Sequence, residues 1–222
     1  MEPSRDTGLM SAIGSLADDS LSWVTHAARD TLAGVDWASI SVLHGDDHFE
    51  TIGSTNPLAA KADALQYELG EGPCVDALRG AALASFDDVT AATSWPRYGA
   101  RVAQLGVRSQ AALRLQHDGR TVGSLNLYGT RAGALSEDSL ARAESIAARA
   151  AQALELSRGV DQLIRSVAAR KAIDQAIGLV MGSHDLSRER AFDHLVELSQ
   201  ARNVKLRDVA LGLVDQANSA HS

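Results

Sequence analysis

A lysine, a glutamine and a glycine at positions 171, 175 and 178 stand at i, i+4 and i+7, with Arg170 and Asp174 beside them. On a helix that spacing puts the three on one face. Lys171 there can neutralise a phosphate, Gln175 can read a base edge, and Gly178, having no side chain, admits close approach of another backbone. Ala172 and Ala176 make a shallow strip next to them. The plainer alternative is a solvated helix face, with Gly178 fitted against another helix. Further on, Arg202, Asn203, Lys205 and Arg207 gather three cations and an amide. Helix C-termini also favour cations, which gives Arg202 a structural reason to stand where it does.

The other residue with reactive chemistry is Cys74, at the end of Gly70-Glu71-Gly72-Pro73-Cys74. A nucleophilic cysteine needs a base or another group that stabilises the thiolate, and nothing in the sequence places one of the seven histidines beside it. It is the chain's single cysteine, so no intramolecular disulfide relay is available. The expectation is a buried structural cysteine that lines or supports a cavity, with redox sensing as the alternative. His44 and His48 flank a turn whose nearby ligands are Asp46 and Asp47, and a surface turn is the reading preferred over a metal site. Gly70 and Gly72 lack the lysine and serine or threonine of a phosphate loop. With no triad and no paired carboxylates, the sequence predicts no catalytic residue, no metal and no cofactor.

These residues sit in a chain of 222, of which 45% are hydrophobic and 22% charged, enough for one large domain or two small ones. Disorder and fibrous repeats are excluded. A single cysteine fits a reducing compartment. No apolar run is long enough to span a bilayer, and Met1 to Asp6 do not open a signal peptide. The expected location is cytoplasmic, with no membrane partner. Net charge is −7, against bulk attraction to nucleic acid, but the balance is uneven. Residues 1–157 hold 12 basic and 20 acidic side chains, and residues 158–222 hold 9 and 8. The shift marks 157–160 as a boundary.

The pattern predicts an opening helix from Leu9 to Leu32, then a hairpin of strands 37–43 and 49–53 around Gly45-Asp46-Asp47. Asn56-Pro57 begins a short helix to about Tyr67. The Gly70–Cys74 segment reads as a loop leading a short helix from Val75 to Arg79. A possible strand 82–86, a helix from Trp95-Pro96 and a second hairpin, 109–115 with 121–128 around Asp118-Gly119, complete an α+β domain with an antiparallel sheet and flanking helices. Gly123 interrupts the return strand as a bulge would. Ser136 caps a long helix. Its positions Leu140, Ala143, Ala147, Ala150 and Leu154, resumed by Val160, Leu163 and Val167, follow a three-four spacing that predicts a coiled-coil connector and a homodimer. Two further helices, the first capped by Ser187, finish an all-α bundle of three.

Three blocks in this tail resemble an ANTAR domain: Arg170 through Met181, Arg190 through Leu195, and Asn203 through Ala210. The resemblance implies an RNA-binding three-helix module of transcription antiterminators that recognises RNA stem-loops and works as a dimer. On it, Arg170, Lys171, Gln175, Ala176, Gly178, Arg202, Asn203, Lys205 and Arg207 are the expected RNA-binding residues. Ile177 stands where many ANTAR sequences carry a basic residue. Upstream, Gly70 through Leu78, Trp95-Pro96-Arg97-Tyr98, Gly106 through Ser109 and Gly123 through Tyr128 look like the GAF domain fused to ANTAR in actinobacterial regulators.

That resemblance implies a sensory GAF domain over residues 10–156 and an ANTAR domain over 157–217, the first ANTAR helix continuous or nearly so with the last GAF helix. A small-molecule ligand, if the GAF fold holds one, is expected beside Gly72, Pro73 and Cys74. The function this implies is signal-responsive, RNA-binding transcription antitermination without catalysis. Three alternatives stay open: a redox-active GAF enzyme or sensor that uses Cys74, a DNA-binding regulator, and a pure interaction scaffold, which the slight +1 charge of the tail would suit.

Overall fold

Side chains alternate between the two faces of a strand, so a strand that alternates apolar and polar residues gives a sheet two unlike faces. In the computed structural model, the described residues, 21–44 and 48–219, hold five strands, β1 (Trp37–His44), β2 (His48–Ile52), β3 (Leu83–Phe86), β4 (Ser109–His117) and β5 (Arg120–Gly129), of which β1, β4 and β5 alternate in this way along most of their length. They form an antiparallel sheet in the order β2-β1-β5-β4-β3. Ala38, Ile40, Val42, Ala111, Leu113, Leu115, Leu125 and Leu127 point to one face and are buried there. Ser39, Ser41, Gln110, Ser124, Asn126 and Tyr128 occupy the alternate positions and are buried too.

The apolar face is covered by α1 (residues 21–31), through Leu21, Val24 and Ala28, and by the first part of α5 (Glu137–His184). There Ala143, Ala147, Ala150, Ala151 and Leu154 lie against the sheet, their small side chains letting the helix approach closely. The Ser136 hydroxyl accepts the Ser139 N–H at 3.2 Å, as the predicted cap requires. The polar face is covered by α2 (Pro57–Leu69), α3 (Pro73–Leu78) and α4 (Pro96–Val102). The Asn56 side chain caps α2 by accepting the Leu58 N–H at 2.8 Å.

The β4–β5 register slips where the sequence predicts it. Leu115 pairs with Gly123 and Gln116 with Thr121, which leaves Val122 as the extra residue of a bulge. A Cβ on Gly123 would lie 2.6 Å from the Ser41 carbonyl oxygen and 3.2 Å from Leu154, so glycine is what the packing at this point admits.

The chain divides at Arg158/Gly159 into this sheet unit and a helical unit. The helical unit comprises the rest of α5, α6 (Arg188–Arg202) and α7 (Leu206–Ser219). Its core is Ala172, Ala176, Ile177 and Val180 from α5, Ala191 and Leu195 from α6, and Val209 and Ala210 from α7. Ser187 caps α6, and Asn203 ends it in the left-handed conformation, φ 50°.

Two expectations change. The segment read as a loop through Cys74 is already helix from Pro73, because proline at the first helical position has a preset φ and loses no hydrogen bond there. The stripe from Leu140 to Leu154, read as a coiled-coil seam, is covered by the chain's own sheet. What is left of the seam is Leu156, Leu163 and Val167, each more than 60% exposed, with Val160 half-buried. The opening helix before residue 21 and the Gly45-Asp46-Asp47 turn lie outside the described residues.

Gly123→Ala is expected to destabilise the sheet unit by about 1–3 kcal/mol through overpacking. Denaturant unfolding followed by tryptophan fluorescence reads that unit directly, since Trp23, Trp37 and Trp95 all belong to it. An unchanged midpoint would contradict the packing described at the bulge.

Candidate functional site

The polar face of the sheet is organised around one carboxylate. Asp63, on α2, is fully buried. The Tyr128 hydroxyl and Asn126 Nδ2 both donate to its Oδ1, the latter at 2.9 Å, and the Thr51 hydroxyl donates to its Oδ2 at 3.1 Å. Asn126 Nδ2 also reaches Ser41 Oγ at 2.7 Å and Ser39 Oγ at 3.3 Å, while Asn126 Oδ1 accepts from Ser124 at 2.9 Å. The Tyr67 hydroxyl joins Ser41 and Thr51, at 2.5 and 2.8 Å. Gln66 extends the network: its amide nitrogen donates to the Tyr128 oxygen at 3.3 Å and its Oε1 accepts the Cys74 backbone N–H at 2.8 Å. Tyr98 donates to Gln110 Oε1 at 2.6 Å, and Gln110 Nε2 is left without a partner among the described residues.

Among the described residues no lysine or arginine acts on Asp63, and burial raises its pKa to about 6 against the pull of its donors. Burial, and then the Asp63 charge, push the Cys74 thiol up to about 12, so the cysteine is a neutral thiol and a poor nucleophile at neutral pH. Tyr67, Tyr98 and Tyr128 are raised by the same two causes. Gly72 and Pro73 are buried with Cys74. A Cβ on Gly72 would fall 2.4 Å from Gln66 Oε1, so a side chain there would evict the group that holds Cys74.

The two short blocks around these residues meet each other. Glu71 accepts the backbone N–H groups of Arg97 and Tyr98 at 3.1 and 3.2 Å, capping α4, and pairs with Arg97 Nε at 2.6 Å. Trp95 Nε1 donates to Asp76 at 3.0 Å. The Glu71 carboxyl is held below its ordinary pKa chiefly by Arg97.

In the helical unit the expected RNA-binding residues do not form one patch. Lys171, Gln175 and Gly178 are exposed along one ridge of α5. Gln175 and Gly178 line a cleft of about 290 Å³ with Leu179, Val214, Ala217 and Asn218. Arg170 lines a different cleft, of about 650 Å³, between α5 and α6, with Asp174, Phe192 and Arg188 among its walls. Arg188 and Asp174 form an ion pair across it at 2.5 Å. Arg202, Asn203, Lys205 and Arg207 are exposed at the α6–α7 turn. From Lys205 to Ala217 is roughly 18 Å along α7 at ~1.5 Å per residue, which separates the turn from the α5–α7 cleft.

Ala176 is corrected outright. It is fully buried between the helices and cannot present a surface to RNA. Ile177 is 4% exposed and belongs to the same core, so it takes no cation away from the exposed ridge. A Cβ on Gly178 would meet nothing within 4 Å, which removes the alternative of a glycine fitted against another helix.

The family comparisons agree with this division. A GAF domain model matches residues 18–155 and an ANTAR domain model matches residues 161–214. The chain belongs to the GAF domain family and carries an ANTAR domain behind it. That architecture is regulatory, a sensory domain joined to an RNA-binding one. No curated protein matches the chain. Among solved structures, the GAF3 domain of Slr1393 from Synechocystis is similar at 14% identity and a TM-score of 0.54, covering 66% of this chain and 98% of that one. A GAF domain/HD domain protein from Geobacter sulfurreducens gives 14% and 0.52, over 67% and 97%. The GAF domain of an Acinetobacter phosphoenolpyruvate-protein phosphotransferase gives 13% and 0.51, over 72% and 99%. At such identity these share the fold with this chain. None of its helices is long and apolar enough to cross a membrane, among the described residues.

In this GAF–ANTAR chain the sequence reading missed Asp63, Gln66, Tyr67, Tyr98, Gln110, Asn126 and Tyr128. The available signal was the alternation Ser39, Ser41 and Ser124, Asn126, polar residues between apolar ones. Read by itself that pattern means a solvated face, and it takes three covering helices to turn it into a buried one.

Asp63 sets a pH dependence. Its folded pKa lies above the ordinary value, so the stability it contributes is present in full below about 4 and is lost as the pH rises through about 6. Between pH 4 and 7 the GAF unit is expected to lose about 3 kcal/mol through this group. Asp63→Asn should abolish that slope in tryptophan-detected unfolding, and equal slopes in both proteins would show that Asp63 does not titrate in this range.

Proposed function

We propose that this chain is a cytoplasmic, signal-responsive antitermination regulator that binds stem-loops in nascent RNA through its ANTAR unit and has no catalytic role. The observation that carries the reading is the exposed ridge Lys171–Gln175–Gly178 inside a matched ANTAR domain, where one residue can hold a phosphate, one can address a base and one leaves room. Lys205, Arg202 and Arg207 add a second cationic patch at the α6–α7 turn, and Asn203 adds an amide there in addition to its role as helix cap. The short seam of exposed Leu156, Leu163 and Val167, with half-buried Val160, supports a homodimer, which would offer two RNA surfaces and raise avidity without new contacts.

The GAF unit is the receiver. Gly72, Pro73 and Cys74, joined to the Asp63 network through Gln66, mark where a small ligand would be felt, and α5 contributes side chains to the cores of both units. Cys74 as a buried neutral thiol weighs against the redox alternative.

Titration against a hairpin RNA and a DNA duplex of equal length, at two salt concentrations, tests the RNA reading. The hairpin is expected to bind more tightly. Arg170→Ala, Lys171→Ala and Lys205→Ala should each weaken different RNAs similarly and flatten the salt dependence by roughly 0.7–0.9 of a counterion. Gln175→Ala should cost about 1–3 kcal/mol on the preferred loop and much less on a scrambled one. For Asn203, glycine is the better variant, because it keeps the left-handed cap. Equal or tighter binding of the duplex would favour a DNA-binding regulator.

The dimer is tested separately. Leu156→Glu with Leu163→Glu is expected to convert a sedimenting dimer into a monomer, and a wild-type monomer would end the seam reading.

A further inference from the structure

We infer that Asp63 is a proton-binding site of the sheet unit, joined by a relay of hydroxyls to the Cys74 thiol, so that a proton taken up on α2 is felt at the start of α3. This rests on the signal-receiving role given to the GAF unit above and supplies that role with a chemical input, a change in pH.

The groups around Asp63 close a ring. Asn126 Nδ2 donates to Asp63 Oδ1 at 2.9 Å and to Ser41 Oγ at 2.7 Å. Ser41 meets the Tyr67 hydroxyl at 2.5 Å, Tyr67 meets the Thr51 hydroxyl at 2.8 Å, and Thr51 donates to Asp63 Oδ2 at 3.1 Å. A hydroxyl has one hydrogen to give. With Asp63 ionised, Thr51 gives its hydrogen to the carboxylate, so it accepts from Tyr67, and Tyr67 in turn accepts from Ser41. Every hydrogen in the ring then runs towards Asp63.

A proton taken from water onto Oδ2 turns that order round. The acid O–H donates to Thr51, Thr51 to Tyr67 and Tyr67 to Ser41, each hydroxyl keeping its own hydrogen and only rotating. The reversal stops at Ser41, because Asn126 Nδ2 is a donor and accepts nothing. Ser41 is left with a hydrogen to place, and it also faces the Cys74 thiol. A neutral sulfur is a weak acceptor, so the relay ends on a residue of α3 whose backbone N–H is already held by Gln66 of α2.

The surroundings suit a proton and no other ion. Asp63, Ser41 and Asn126 are fully buried, whereas Thr51 and Tyr67 are part-buried, so the ring meets water where the relay begins. Tyr67 on α2, Cys74 on α3, Tyr98 on α4 and Tyr128 on β5 all feel the Asp63 charge and are all held neutral at neutral pH. The side chains that β1, β2 and β4 bring to this layer, Ser39, Ser41, Thr51 and Gln110, carry no charge. Asp63 therefore titrates alone, and burial places its titration near pH 6.

The chain has a single cysteine, so its S–H stretching band in the infrared reports Cys74 alone. The experiment titrates the full-length protein and follows that band together with the Asp63 carboxyl carbon by NMR, a resonance identified by its absence in Asp63→Asn. The band is expected to shift with the same midpoint as the carboxyl carbon, about 6. Asp63→Asn, whose amide donates to Thr51 as the protonated acid does, should hold the band at its low-pH position throughout. Tyr67→Phe cuts the relay between Thr51 and Ser41 and should leave the carboxyl titrating while the band stays still. Thr51→Val cuts it at the other end with the same expected result, and circular dichroism checks that each variant is folded. A carboxyl carbon that does not titrate between about pH 4 and 8 overturns the inference. So does a band that ignores the carboxyl in the wild type, or one that still follows it with the relay cut. RNA enters neither measurement, so failure of the relay and failure of the antitermination reading are told apart.

Discussion

A carboxylate buried with no cation beside it has to be met by hydrogen-bond donors, and those donors then have to be held in place. Asp63 imposes that demand on the sheet unit. Its partners come from β2 and β5, and those partners in turn engage β1, α2 and, through Gln66, the start of α3. The two faces of the sheet therefore specify different things. The apolar face joins α1 and α5 by contact area and tolerates any well-packed arrangement of similar volume. On the polar face the groups around Asp63 are held by directed hydrogen bonds between elements, which fixes how α2 and α3 lie on the strands.

Among the described residues the helical unit has no comparable polar anchor. Its core consists of alanine, isoleucine, leucine and valine on three short stripes, and small residues such as Ala172, Ala176, Ala191 and Ala210 set how close the helices come. Close packing pushes the polar chemistry outward, onto one ridge of α5, the α5–α6 cleft and the α6–α7 turn. The same helix thus plays two roles along its length: alanines against a sheet before residue 158, and alanines against two helices after 171, with exposed leucine and valine in between.

Much of this was legible in the residues because it rests on local rules. The caps at Asn56, Ser136 and Ser187, the hairpin turn at Asp118-Gly119, the interruption at Gly123 and the stripes of α6 and α7 each carry their own signal. The exposed ridge at 171, 175 and 178 follows from helical spacing in the same way. What the sequence left undetermined depends on which element covers which. The alanines from 143 to 150 have one spacing whether a partner helix or the chain's own sheet lies over them, and only the fold decides between these. Ala176 looked like a neighbour of the ridge because sequence spacing does not say which side of a helix faces the core. Asp63 was invisible for a further reason: an acidic residue in a short helix is ordinarily solvated, and its burial follows from partners as far along the chain as Asn126 and Tyr128.

Asn126 shows what such a layer means over longer times. Its amide nitrogen, with two N–H donors, lies among three acceptors, Ser39, Ser41 and Asp63, so replacing Asn126 takes a donor from buried groups on β1 and α2 at once. Changes in this layer are viable chiefly in concert, whereas the apolar face can drift one methylene at a time. A lineage of such domains would therefore keep its sheet-helix architecture while its inner polar face jumped between a few self-consistent sets, and the receptor's chemistry would change in steps while its scaffold changed smoothly.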